Sequence, residues 1–152
     1  MLRQLAHLTR PLPAAGDRAC AIAVYASEAD EHLAAADTGF EGVACVDDAA
    51  RALVLLCDLW DRTRLASLRT WADGLADFVL YMQDRDGRFV NFVLDWSGRR
   101  NTFGLTSRAG GRFWQARGLR GLAKMWITFD DEPSRGGFER GLAQAVAAPA
   151  PP

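Results

Sequence analysis

Cysteine is scarce in this sequence, and its spacing excludes two uses. Cys20, Cys45 and Cys57 are the only thiols, an odd number with no CxxC pair, which argues against a disulfide framework or a zinc site. Cys45 and Cys57 sit among apolar residues, as buried thiols in a reducing compartment would. Long hydrophobic runs are missing as well. The N-terminal stretch "MLRQLAHLTRPLPAAGDRACA" is broken by Arg3, His7, Arg10 and Pro11, and nothing approaches the roughly 20 apolar residues of a membrane span. A cytoplasmic location is the expectation. An excess of either charge is also absent: 18 Lys+Arg stand against 19 Asp+Glu, a formal net charge of -1, so neither nucleic acid nor an anionic membrane is the expected partner.

Other familiar chemistries lack their residues. His7 and His32 are far apart in sequence and neither has a ligand-like neighbour in the sequence. Ser107 lies in "TSRAGG", not in a nucleophile elbow, and "SRAGGR" lacks the Lys-Ser/Thr ending of a phosphate loop. No metal and no cofactor is predicted.

What is present is apolar bulk with helical spacing. At 152 residues, 49% of them hydrophobic, the chain has the size and core of one ordinary domain. From Val46 to Trp60 the only strongly polar residues after Asp47 and Asp48 are Arg51 and Asp58, which predicts a helix buried on all sides. In "LRTWADGLADFVLYMQD", Leu68, Trp71, Ala72, Leu75, Phe78, Val79 and Met82 recur at spacings of three and four, the pattern of an amphipathic outer helix. The short "DRTR" connection makes the two an antiparallel hairpin.

Beyond the "DRDG" turn, Arg88 to Trp96 alternates, with Val90, Phe92, Leu94 and Trp96 on one side and Phe89, Asn91, Val93 and Asp95 on the other, predicting a short strand. A third helix follows in "RFWQARGLRGLAKMWITF", with Phe113, Trp114, Ala116, Leu119, Leu122, Ala123 and Trp126 toward the core despite Gly118 and Gly121. A fourth is expected over roughly Phe138 to Ala147. "CAIAVYA" reads as a strand or a helix start, and "SEADEHLAAA" as a short helix. The implied organisation is a partly irregular segment over residues 1–38, an α/α-hairpin domain over 39–148 and a Pro-rich tail over 149–152.

Three stretches carry a family likeness. "TGFEGVACVDDAARAL", "YMQDRDGRFVNFV" and "RFWQARGLRGLA" resemble the six-hairpin glycosidase superfamily, over roughly Phe40 to Trp126. The resemblance implies a mainly all-α fold, an α/α toroid of alternating inner and outer helices around a carbohydrate cavity. Four clear helices are too few for that superfamily's ring of twelve. An incomplete toroid with a short β-hairpin or strand insertion is therefore expected, one that self-associates or lacks a partner.

Asp47 and Asp48 at a helix start have an ordinary role, satisfying free N–H groups and complementing the helix dipole. One cap needs one carboxylate, however, and Arg51 is within reach of either. A carboxylate beside Arg and a helix N-terminus is a good anion and a poor general acid, and glycoside hydrolysis needs a second carboxyl in a different setting. Glu41 and Asp95 are the candidates. Paired aspartates also serve magnesium-diphosphate enzymes, but there a further acid stands on the next turn, where this chain has Arg51.

No acid occurs between Asp95 and Asp130, an interval rich in arginine. Arg108, Arg112 and Arg117 are read as receiving an acidic sugar. Trp114 and Arg117 form an aromatic-plus-cation pair for a sugar ring, and Asn91 joins them as a binding residue. The competing reading is a non-catalytic helical module that binds a sugar or a protein, with the same residues as caps and clamps.

Overall fold

The computed structural model describes residues 2–27, 31–35 and 41–147. Four long helices dominate the described residues: α2 (Val46–Thr63), α3 (Ala66–Tyr81), α4 (Arg112–Phe129) and α5 (Glu132–Ala147). They follow a short α1 (Leu2–Leu8), the strands β1 (Thr9–Pro11), β2 (Cys20–Ile22), β3 (Tyr25–Ala26), β4 (His32–Leu33) and β5 (Ala44–Cys45), while β6 (Phe92–Val93) stands between α3 and α4. The mainly-α expectation holds. The strands form three antiparallel pairs, β1 with β2, β3 with β4, and β5 with β6. No described helix is long and apolar enough to cross a membrane.

The connections between α2 and α3 and between α4 and α5 are both tight. The α2 chain reverses through Arg64, in the left-handed region at φ 57°, whose N–H returns to the Trp60 carbonyl at 2.8 Å. Asp130 does the same after α4 at φ 56°. Asp131 then caps α5 by accepting the Ser134 N–H at 3.0 Å, with Pro133 in the first turn where its missing N–H costs nothing. Hence α5 begins six residues before the expected Phe138.

The two hairpins lie side by side, with α2 and α4 parallel. Near their N-terminal ends Arg117 pairs with Asp47. Near their C-terminal ends Lys124 pairs with Asp58 at 2.9 Å and Asp61 at 3.0 Å, and the Trp60 and Phe129 rings meet edge to face at 4.7 Å. The helices approach closely because a Cβ on Gly121 would stand 3.1 Å from Ala50 Cβ. Glycine in the middle of α4, unfavourable for an isolated helix, is thus a packing residue.

Burial departs from the sequence pattern in several places. α2 is not covered all round: Val54 and Leu55 are only half-buried, and Arg51 and Asp58 are exposed. The described elements leave that flank open. α3 is less of an outer helix than its periodicity implied. The Arg18–Cys20 segment crosses its second face, where a Cβ on Gly74 would fall 2.7 Å from the Arg18 carbonyl oxygen, and Asp77 holds Arg18 at 2.6 and 3.0 Å.

The Arg88–Trp96 alternation does not produce a two-faced strand, since Phe89 through Val93 are all buried and only Phe92–Val93 pair with β5. In α4, Phe113 and Ala116 face outward while Met125 takes a core position. Within "CAIAVYA" the strand alternative is the observed one. The described part of "SEADEHLAAA" contains strand β4, not a helix, and the remainder of that stretch and the Pro-rich tail lie outside the described residues. Leu12, Ala21 and Ile22 share one core with α2 and α3, so the N-terminal segment packs as part of the same body.

Adjacent glycines in α5 give a direct test of this packing. Gly136 faces open space apart from the Arg140 guanidinium at 3.4 Å, whereas a Cβ on Gly137 would meet Leu80 at 2.6 Å and Leu122 at 2.8 Å. Urea denaturation should find Gly136→Ala more stable by about 0.5–1 kcal/mol and Gly137→Ala less stable by about 1–3 kcal/mol.

Candidate functional site

The start of α2 is built by the strand pair that precedes it. β5 runs directly into the helix, and Val46 donates its N–H to the Asn91 carbonyl at 2.8 Å. Cys45 is the N-cap: its sulfur accepts the Asp48 N–H at 3.5 Å and its thiol faces the Asp48 carboxylate at 3.4 Å. Asp47 and Asp48 are therefore first-turn residues, so their carboxylates remain available for other contacts.

Asn91, expected as a sugar ligand, is almost wholly buried and acts as a tie. Its side-chain oxygen accepts the Asp47 N–H at 3.3 Å and its amide donates to the Thr106 carbonyl at 2.9 Å. The Thr106 hydroxyl in turn donates to Glu41 Oε1 at 3.1 Å, and Asn101 donates to the Glu41 carbonyl at 2.9 Å. Behind them the buried Ser107 accepts the Phe92 N–H with its hydroxyl and the Asn91 N–H with its carbonyl, each at 2.8 Å.

Beside these contacts lies an open cavity of about 330 Å³ at the N-terminal end of α2, lined by Glu41, Asp47, Asp48, Asn91, Thr106, Tyr25 and Phe113 among others. Three of the four acids expected from sequence meet there. The fourth, Asp95, does not. It sits in the exposed turn after β6, where the Ser97 hydroxyl and the Arg99 guanidinium hold its carboxyl below the usual carboxylate range. Two further hollows flank α2, of about 350 and 450 Å³. Each is larger, but neither gathers acids from separate elements, so the smaller cavity is the candidate site.

The arginines divide. Arg117 pairs with Asp47 at the cavity edge, and its guanidinium lies 5.6 Å from the Phe113 ring centroid. Asp47 in turn raises the Arg117 pKa above its ordinary value. Arg51 stands 3.5 Å from Asp48. Arg108 is exposed and is not among the lining residues of this cavity, while the side chain of Arg112 is outside the described part. Elsewhere in the acid-free interval, Arg99 serves Asp95 and Arg100 serves Asp84. Trp114 is core: 5% exposed, with its indole N–H donating to the Phe89 carbonyl at 3.0 Å.

Tyr25, Thr106 and Phe113 escaped the sequence reading as site residues. Phe113 occupies a core position by periodicity, and Tyr25 reaches the cavity only through the β3–β4 pairing. Among the described residues, no group of three or more His, Cys, Asp and Glu side chains is arranged to hold a metal ion. No protein-family model matches the sequence, and no curated protein matches it significantly.

The thiols make a pH prediction. Burial pushes the Cys45 thiol well up, and Cys20 and Cys57 up to about 11 each. A raised folded-state pKa gives stability that is complete below the unfolded value of about 8.5 and is lost as pH climbs through the folded value. Unfolding free energy should therefore fall between pH 9 and about 11, and Cys57→Ala should flatten that decline.

Proposed function

We propose that this chain is a sector of an α/α toroid of the six-hairpin glycosidase-like type, processing carbohydrate in the cavity at the N-terminal end of α2. The observation that carries the reading is the meeting of Glu41, Asp47 and Asp48 in one cavity, beside two parallel neighbouring helices that each pair with an antiparallel one. Parallel inner helices with antiparallel outer partners are what a toroid requires. The half-buried Val54 and Leu55 flank of α2 would face the ring's interior, and further hairpins would complete the ring.

Two carboxyls in unlike settings divide the work of glycoside hydrolysis. Glu41, whose carboxylate meets a neutral hydroxyl on Thr106, is assigned the proton-transfer role. Asp48, at the helix N-terminus beside Arg51, stabilises positive charge developing on the sugar or activates a water. Asp47 is a positioning residue that holds Arg117.

Glu41→Gln and Asp48→Asn should each reduce sugar turnover by at least 100-fold, with the fold kept within about 2 kcal/mol for the Asp48 change. Turnover assays and thermal melts check both. If the wild type binds sugar without turning it over, the site belongs to the non-catalytic sugar-binding reading. Incomplete closure is tested by sedimentation, where self-association is expected. A strictly monomeric chain that is fully active would contradict the ring.

A further inference from the structure

Two aromatic side chains lie on the cavity wall with much of their surface open. Tyr25 is 52% exposed and Phe113 48% exposed, although large aromatics gain most from burial. Both line the same cavity as Glu41, Asp47, Asp48, Asn91 and Thr106. Tyr25 comes from β3, the first strand of a hairpin ahead of the helical region, and Phe113 from the first turn of α4.

Phe113 is also held in place from two sides. Its ring meets Trp114 edge to face at 4.9 Å, and Arg117, itself anchored on Asp47, sits 5.6 Å from its centroid. An exposed ring that is fixed by neighbours offers a flat apolar face at little further entropic cost.

Charge narrows the ligand. Among the described lining residues the carboxylates are Glu41, Asp47 and Asp48, and no Lys, Arg or His is present. Arg117 and Arg51 pair with Asp47 and Asp48 from outside the lining, so an anionic sugar would enter a cavity whose wall carries three acids and no cation. Carboxylates and the Thr106 hydroxyl accept hydrogen bonds well from sugar hydroxyls.

Resting on the carbohydrate reading above, we infer that the cavity takes a neutral pyranose, with Tyr25 and Phe113 as its stacking walls, and that it discriminates against uronic acids. The inference replaces the acidic sugar suggested by the run of arginines in sequence, since neither Arg108 nor Arg117 is among the residues that line the cavity.

The test is calorimetric titration of the full chain with neutral tetraoses of glucose, mannose, galactose and xylose, and with a galacturonic acid tetramer, at low and high salt. At least one neutral tetraose should bind 10-fold or more tighter than the uronic tetramer, with little change on adding salt. Phe113→Ala and Tyr25→Ala should each weaken that binding at least 10-fold with an unchanged melt, and Phe113→Trp should retain it. Equal or tighter binding of the uronic tetramer, or no loss in both alanine variants, overturns the neutral-sugar inference while leaving a carbohydrate site. Binding of none of these sugars overturns the carbohydrate reading itself.

Discussion

The site depends on one junction, where β5 becomes α2 against the Asn91 backbone and side chain. Asn91 accepts the Val46 N–H with its carbonyl and the Asp47 N–H with its side chain, and it donates to the Thr106 carbonyl. Helix starts leave N–H groups that must find acceptors. Here one buried amide and the Cys45 sulfur supply them. A single residue thereby fixes both the helix that carries Asp47 and Asp48 and the loop whose Thr106 hydroxyl reaches Glu41. Loss of that amide would leave buried donors without partners, which costs more than the bond itself contributes.

The second constraint is the close parallel approach of α2 and α4. It needs a small residue at the crossing, met by Gly121 against Ala50, and it stacks like-directed helix dipoles, which repel. The opposed charges along the seam offset that repulsion: Arg117 with Asp47 at one end, Lys124 with Asp58 and Asp61 at the other. These pairs are partly exposed and individually contribute modestly. Their larger effect is register, because a shift along the seam would separate all of them together. The same register brings Phe113 to the mouth of the cavity that α2 begins.

Much of the helical framework was legible in the sequence because periodicity reports burial. The spacing of Leu68, Ala72, Leu75, Phe78 and Val79 marked α3, and the apolar run after Asp48 marked α2. Glu41, Asp47 and Asp48 were likewise readable as candidates, since one helix cap needs only one carboxylate and three acids stand close to this helix start. The acid-free stretch after Asp95 was visible too, but not where each arginine would find its partner. The start of α5 was hidden because Gly136 and Gly137 resemble a loop until a close-packed neighbour accounts for the second of them.

By itself, then, the sequence determined the helices α2, α3 and α4, the reversal of α2 into α3, and which acids stand at the start of α2. These are local properties, governed by spacing, caps and turn residues. Tertiary structure decided the rest. Asp95 was removed from the site because its nearest donors, Ser97 and Arg99, are its own turn. Trp114 went to the core and Phe113 to the cavity because helix rotation is set by the Phe89 carbonyl and the α2 contact, neither of which lies near them in sequence. Arg117 became the partner of Asp47, 70 residues away, because charge follows proximity in space, and no pattern within α4 encodes what packs beside it.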